Sequence, residues 1–94
     1  MQSVKLFRAD FDIKVNNKVR FIKDNIYTGV RINYFFVRIY DEQDQGWDFG
    51  LTYQEAPSCL WSPKTRYPEK FTLLSKNILM PNKKEFRNFR KRLR

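Results

Sequence analysis

Residues 30–53 read VRINYFFVRIYDEQDQGWDFGLTY, and the reading of this stretch decides the fold. β-branched and aromatic residues crowd Val30 to Tyr40, Gly29 stands at its start and no proline interrupts it, which is the composition of a strand. Its apolar content is too dense for clean alternation, so it reads as a central strand covered on both faces. Asp41-Glu42-Gln43-Asp44-Gln45-Gly46 is a polar turn ending in glycine, and Trp47, Phe49, Leu51 and Tyr53 then restart a period of two. The two runs predict an antiparallel hairpin.

Working outward, Phe7, Ala9, Phe11, Ile13 and Val15 alternate with Arg8, Asp10, Asp12 and Lys14. Successive strand side chains point to opposite faces, so residues 7–15 read as one half-buried strand with Asp10 and Asp12 on its charged outer face. Asn16-Asn17 follows, and both types tolerate the positive φ of a tight turn, after which Val19 and Phe21 begin a short second strand. Downstream, Pro57, Pro63 and Pro68 mark residues 54–70 as a long connection or at best an edge, with Trp61 anchoring it to the core. Phe71 to Leu74 reads as one more short strand. The sum is a mainly β protein, a small antiparallel β-barrel or strongly curved sheet over residues 1–82. Residues 83–94 form a basic C-terminal segment of the same single domain.

That segment admits two readings. Asn82 is a good N-cap with Glu85 three residues on, and Phe86, Phe89 and Leu93 recur at helical spacing, so a short capped helix is one. An irregular last strand is the other.

The chain from about residue 6 to residue 80 resembles the third domain of elongation factor Tu. That family's first strand has the pattern F-x-A-x-hydrophobic-x-hydrophobic, matched by Phe7, Ala9, Phe11 and Ile13. Its G-x-R segment and aromatic strand are resembled by Gly29, Val30 and Arg31 followed by Tyr34-Phe35-Phe36, and its later proline by Pro68 before Phe71 to Leu74. The chain departs from the family at Ile32, where the family has proline, at Pro68-Glu69-Lys70, which lacks the family's glycine, and in ending on a basic tail. The resemblance implies a small antiparallel barrel with a surface that contacts tRNA or protein. It implies no GTPase, since nucleotide binding belongs to another domain of those factors.

Charge is unevenly spread. The 94 residues carry a net +9, yet residues 83–94 hold Lys83, Lys84, Arg87, Arg90, Lys91, Arg92 and Arg94 against Glu85, a net +6, leaving +3 for the rest. Such a segment concentrates polyanions, acidic protein surfaces or anionic lipid. No apolar run is long enough for a membrane span and the N-terminus lacks a signal peptide's core, so the expected location is cytoplasmic.

Chemistry that needs histidine is excluded within one chain, because there is none: no His triad, no His-ligated metal. Cys59 is alone and lacks a histidine base, so it reads as a packed thiol rather than a nucleophile. Asp41, Glu42, Asp44 and Asp48 could pair as acid and base or hold Mg²⁺, but their place in a polar turn reads as solvated turn chemistry. No glycine-rich phosphate loop exists. The expectation is no enzyme, no cofactor and no metal.

Binding chemistry is better supplied. Arg31, Arg38, Tyr34 and Tyr40, with Tyr27 and Tyr53, are candidates for an aromatic and arginine sheet face, and Lys83, Lys84, Arg87, Arg90, Lys91, Arg92 and Arg94 for a phosphate grip. Tyrosines at strand spacing also suit a plain core. Two partner classes remain: RNA or single-stranded nucleic acid, and an acidic protein neutralised stoichiometrically, as by an immunity protein or a phage-encoded inhibitor. Lys, Asn, Ile and Phe richness hints at an AT-rich bacterial or phage genome. A basic helix lying on anionic membrane is a third reading, limited by a thin apolar face of Phe86, Phe89 and Leu93.

Overall fold

The structure is a computed structural model and describes residues 2–53, 66–75 and 77–93. Among the described residues, ten strands precede one helix: β1 Gln2–Ala9, β2 Ile13–Val15, β3 Lys18–Phe21, β4 Ile26–Arg31, β5 Phe36–Tyr40, β6 Gly46–Gly50, β7 Thr52–Tyr53, β8 Arg66–Tyr67, β9 Phe71–Leu73, β10 Ile78–Met80 and α1 Lys83–Arg92. The main sheet is antiparallel, ordered β10-β1-β4-β5-β6, and curls into a half-barrel. β9 and β10 share one edge of β1: β10 pairs with Gln2 to Val4, and β9 with Phe7 to Ala9. The expected mainly β, strongly curved sheet with a short C-terminal helix is what the chain forms.

The hairpin predicted across residues 41–46 is present, with Val37 opposite Phe49 and Ile39 opposite Trp47. The strand predicted over residues 30–40 is not continuous. β4 ends at Arg31 and β5 starts at Phe36, and a turn reverses the chain between them. Asn33 makes that turn: its Oδ1 accepts the N–H groups of Phe35 and Phe36 at 2.8 and 3.0 Å, replacing ladder bonds with a side-chain bond. The strand predicted over residues 7–15 is likewise two. β1 stops at Ala9 and a bend at Asp10 to Asp12 swings β2 off the sheet, so Asp10 and Asp12 occupy a bend rather than a strand's outer face. Asn16 and Asn17 carry positive φ, 54° and 66°, and close the β2–β3 hairpin as their types suggest.

Strand alternation gives the sheet two apolar faces. The concave one collects Phe7, Ala9, Tyr27, Val37 and Ile39 with Leu51, Phe71 and Leu73, and the β2–β3 hairpin closes over it with Ile13 and Phe21. Phe21 is its hub, edge-on to Tyr27, Phe49 and Phe71 at 4.9, 5.5 and 5.3 Å between ring centroids. Gly29 permits the close approach of Phe7, since a Cβ there would sit 2.5 Å from Phe7 Cε2. The convex face is smaller: Val4 and Met80 pack on Phe86 of α1, with Val30, Tyr40, Ile78 and Phe89 around them.

At the end of the proline-rich stretch β8 pairs Arg66 and Tyr67 with β7 just before Pro68. Cys59 and Trp61, with Pro57 and Pro63, lie outside the described residues. No helix among the described residues is long and apolar enough to cross a membrane.

Candidate nucleic-acid interface

The basic segment is a helix, docked and not trailing. Asn82 is extended at its N-cap and its Oδ1 accepts the Glu85 N–H at 2.9 Å. Phe86 is buried beneath it. Arg90, one of the expected phosphate-binding residues, is turned inward instead. Its guanidinium lies 4.1 Å from the Tyr40 ring centroid and 4.3 Å from that of Phe86. Its Nε and Nη2 donate to the two carboxylate oxygens of Asp44 at 2.5 and 3.2 Å. A bidentate pair over two rings fixes the helix to the β5–β6 turn.

The other described cations of the segment, Lys83, Lys84, Arg87, Lys91 and Arg92, are exposed. At 3.6 residues per turn, Lys84, Arg87 and Lys91 share an arc of about 60°, opposite Phe86, Phe89 and Leu93. The helix therefore presents a basic stripe outward while its apolar stripe is taken by the sheet. Arg94 lies outside the described residues.

β5 carries the site away from the helix. Phe36, Arg38 and Tyr40 point to the same convex face, spanning about 13 Å. Tyr40 is half-buried under α1 and does not offer a free ring. Arg38 is exposed but meets Asp48 across the ladder, Nε to Oδ1 at 2.8 Å and Nη2 to Oδ2 at 3.3 Å. That hydrogen bond and the carboxylate charge raise the Arg38 pKa above the usual guanidinium value.

At the far end the β4–β5 turn forms an aromatic tip. Arg31 donates to the carbonyls of Asn33 and Tyr34 at 3.0 and 3.1 Å and sits 5.7 Å from the Tyr34 ring. Tyr34 and Phe35 meet edge to face at 5.2 Å while remaining 56% and 58% exposed. The sequence pattern places Phe35 and Phe36 in one central strand; Phe36 does begin β5, whereas Phe35 stands in the turn before it. Asn33, inside the apolar run, was the signal that marks the tip. Beneath it, burial and the neighbouring Arg31 charge push the Lys5 ammonium below its usual range.

The acidic turn corrects another expectation. Asp41 is not solvated: it is fully buried, and its carboxylate accepts the Trp47 indole N–H at 2.7 Å and the N–H groups of Gln43 and Gln45 at 2.8 and 2.9 Å. Asp44 holds Arg90 and Asp48 holds Arg38. Glu42 accepts from Asn25 Nδ2 and, in a very short bond, from the hydroxyl of Tyr27. Each of the four carboxylates thus has structural partners of its own. Among the described residues no cluster of His, Cys, Asp or Glu is placed to hold a metal ion.

Tyr27, a sheet-face candidate from the sequence, is buried in the concave core. Burial first, and the hydrogen bond to Glu42 second, push its phenol up to about 12. The unfolded phenol loses its proton near pH 10, before the folded one, so this contribution to stability is present below pH ~10 and is lost as pH rises toward ~12. Urea titrations across that window are expected to show wild type losing more stability than Tyr27→Phe, which has no phenolic proton. Tyr53 is in β7, and its side chain lies outside the described set.

Comparison with protein-family models, with curated proteins and with solved structures returned no match.

Proposed function

We propose that the protein is a non-catalytic basic module that grips single-stranded nucleic acid, RNA or DNA, along the convex face. The observation that carries this reading is the outward stripe of Lys84, Arg87 and Lys91 flanked by Lys83 and Arg92 on a docked helix. Lys83 and Lys84 sit in the first turn, where a cation opposes the helix dipole by about 0.3–1 kcal/mol. They are unfavourable for the helix and favourable for a polyanion. The aromatic tip at the other end of β5 supplies rings on which unpaired bases stack. The resemblance to the elongation factor Tu third domain is in keeping with a surface that contacts RNA, and a bacterial or phage cytoplasm is the setting this reading suits.

A test is the affinity for a fluorescein-labelled oligonucleotide as salt is varied. The triple change Lys84→Glu, Arg87→Glu, Lys91→Glu is expected to weaken binding more than tenfold and to flatten the slope of log K against log salt by about 2. Unchanged affinity and slope sink the reading.

The rigid mounting of the stripe by Arg90 favours a second reading, a stoichiometric inhibitor of an acidic protein of the immunity or phage-encoded kind. Tyr34 and Phe35 would then be its anchors. Retention of an acidic protein from nuclease-treated host lysate, lost in the same triple variant that keeps oligonucleotide affinity, selects it.

A further inference from the structure

We infer that the outer edge of β6 pairs antiparallel with the same edge of a second copy, about a two-fold axis at Asp48. Such pairing needs no nucleic acid. β6 ends the main sheet, and among the described residues it pairs only with β5. The Asp41 N–H donates to the Gln45 carbonyl and the Leu51 N–H to the Phe35 carbonyl, both at 2.9 Å, so odd-numbered residues bond inward. By the alternation of an antiparallel ladder, the N–H and C=O groups of Gly46, Asp48 and Gly50 point outward.

The same alternation turns Thr52 outward, and there β8 sets Tyr67 opposite it. Pro68, which has no N–H to continue a ladder, then ends β8. An edge of five residues, Gly46 to Gly50, is left. None of the usual protections of an edge interrupts it, neither lysine nor proline nor bulge. Asp48 and Gly50 are exposed, and a Cβ built on Gly50 would meet no heavy atom within 4 Å.

The residue pattern names the occupant. Gly46-Trp47-Asp48-Phe49-Gly50 runs small, aromatic, acidic, aromatic, small in either direction, so it matches itself when reversed. In the pair, each Gly46 faces the partner's Gly50. Each Trp47 faces the partner's Phe49 at a non-hydrogen-bonded position, where side chains come closest. Both rings are half-buried on the concave face, and such cross-strand aromatic pairs stabilise a sheet. An unrelated extended peptide would meet the same backbone groups without the ring pairs. The two Asp48 carboxylates meet at the axis, each already neutralised by its own Arg38. With the axis normal to the sheet, both convex faces and both basic stripes fall on one side.

Sedimentation equilibrium of the full chain, free of nucleic acid, from about 5 to 500 μM tests this. A monomer–dimer transition is expected with a midpoint of about 10–100 μM. Its dimer fraction should rise with salt, because two chains of net charge +9 repel each other and salt screens that repulsion. Asp48→Pro removes the central outward N–H and spares the inward ladder, whereas Asp48→Lys sets like charges face to face across the axis. Both variants should stay monomeric at the highest concentration with an unchanged far-ultraviolet circular dichroism spectrum. In wild type, amide exchange at Gly46, Asp48 and Gly50 should slow at least about tenfold as the dimer forms, with Trp47 and Phe49 unchanged. A monomer at every concentration, or a dimer indifferent to both substitutions, overturns the pairing. Full protection of Gly46, Asp48 and Gly50 in the dilute monomer overturns it too, since another part of the chain would then cover the edge.

Discussion

Asp41→Ala is expected to destabilise the protein by about 3–5 kcal/mol in urea unfolding. The carboxylate is fully buried and serves three N–H donors, from Trp47, Gln43 and Gln45. Alanine leaves all three part-buried donors without their side-chain acceptor, and each orphaned donor costs about 1–3 kcal/mol before relaxation or hydration. It also removes the carboxylate that lies 4.0 Å from Arg20 Nη1, although that group keeps its hydrogen bond to Gln43 Oε1 at 2.9 Å. Asp41→Asn discriminates the causes. Its Oδ1 still caps Gln43 and Gln45, but its Nδ2 faces the Trp47 N–H donor to donor, so its loss should fall between zero and that of alanine. A loss below ~1 kcal/mol for Asp41→Ala would mean that the turn is held by its backbone alone.

Phe21→Ala is expected to cost a comparable amount, about 3–5 kcal/mol, by a different route. The ring is fully buried and touches Tyr27, Phe49 and Phe71 edge-on, joining the β2–β3 hairpin to β4, β6 and β9. Removing it opens a cavity among rings that are themselves tethered to three different strands and cannot collapse together. The hairpin should detach before the sheet does. Amide exchange in Ile13 to Phe21 should accelerate more than in β4 and β5, and uniform acceleration would refute the hub role.

The legible parts of this protein were those written in local chemistry. Asn16-Asn17 announces a turn because both types accept positive φ, and Asn82 with Glu85 announces a helix start because the cap is a four-residue device. What stayed hidden depended on distant partners. Phe11 continues the alternation of β1 yet is 61% exposed, because the bend that follows Ala9 is fixed by bonds from Asp24 to Ala9 and from Asp10 to Lys70. Periodicity does not register such a bend. Arg90 is one cation among seven in its segment, and only Asp44 and Tyr40, more than forty residues earlier, distinguish it. The same holds for Asp41 beside Asp44: adjacent acids of one turn, one sealed under Trp47 and the other facing the helix. For the site, the basic stripe was legible from composition, whereas the aromatic tip required knowing that the chain reverses at Asn33.

The double use of β1 has a kinetic consequence. β2–β3 and the β4–β5–β6 meander are closed by short turns and can zip locally, on the microsecond scale of hairpins. β1 is different: Val4 waits for Ile78 and Phe7 for Leu73, partners more than sixty residues away. Closing those contacts carries the loop entropy that sets folding speed, so the barrier belongs to the docking of β9 and β10 on β1. Since α1 follows β10 directly and packs on Val4, the basic stripe gains its mounting only once that barrier is crossed.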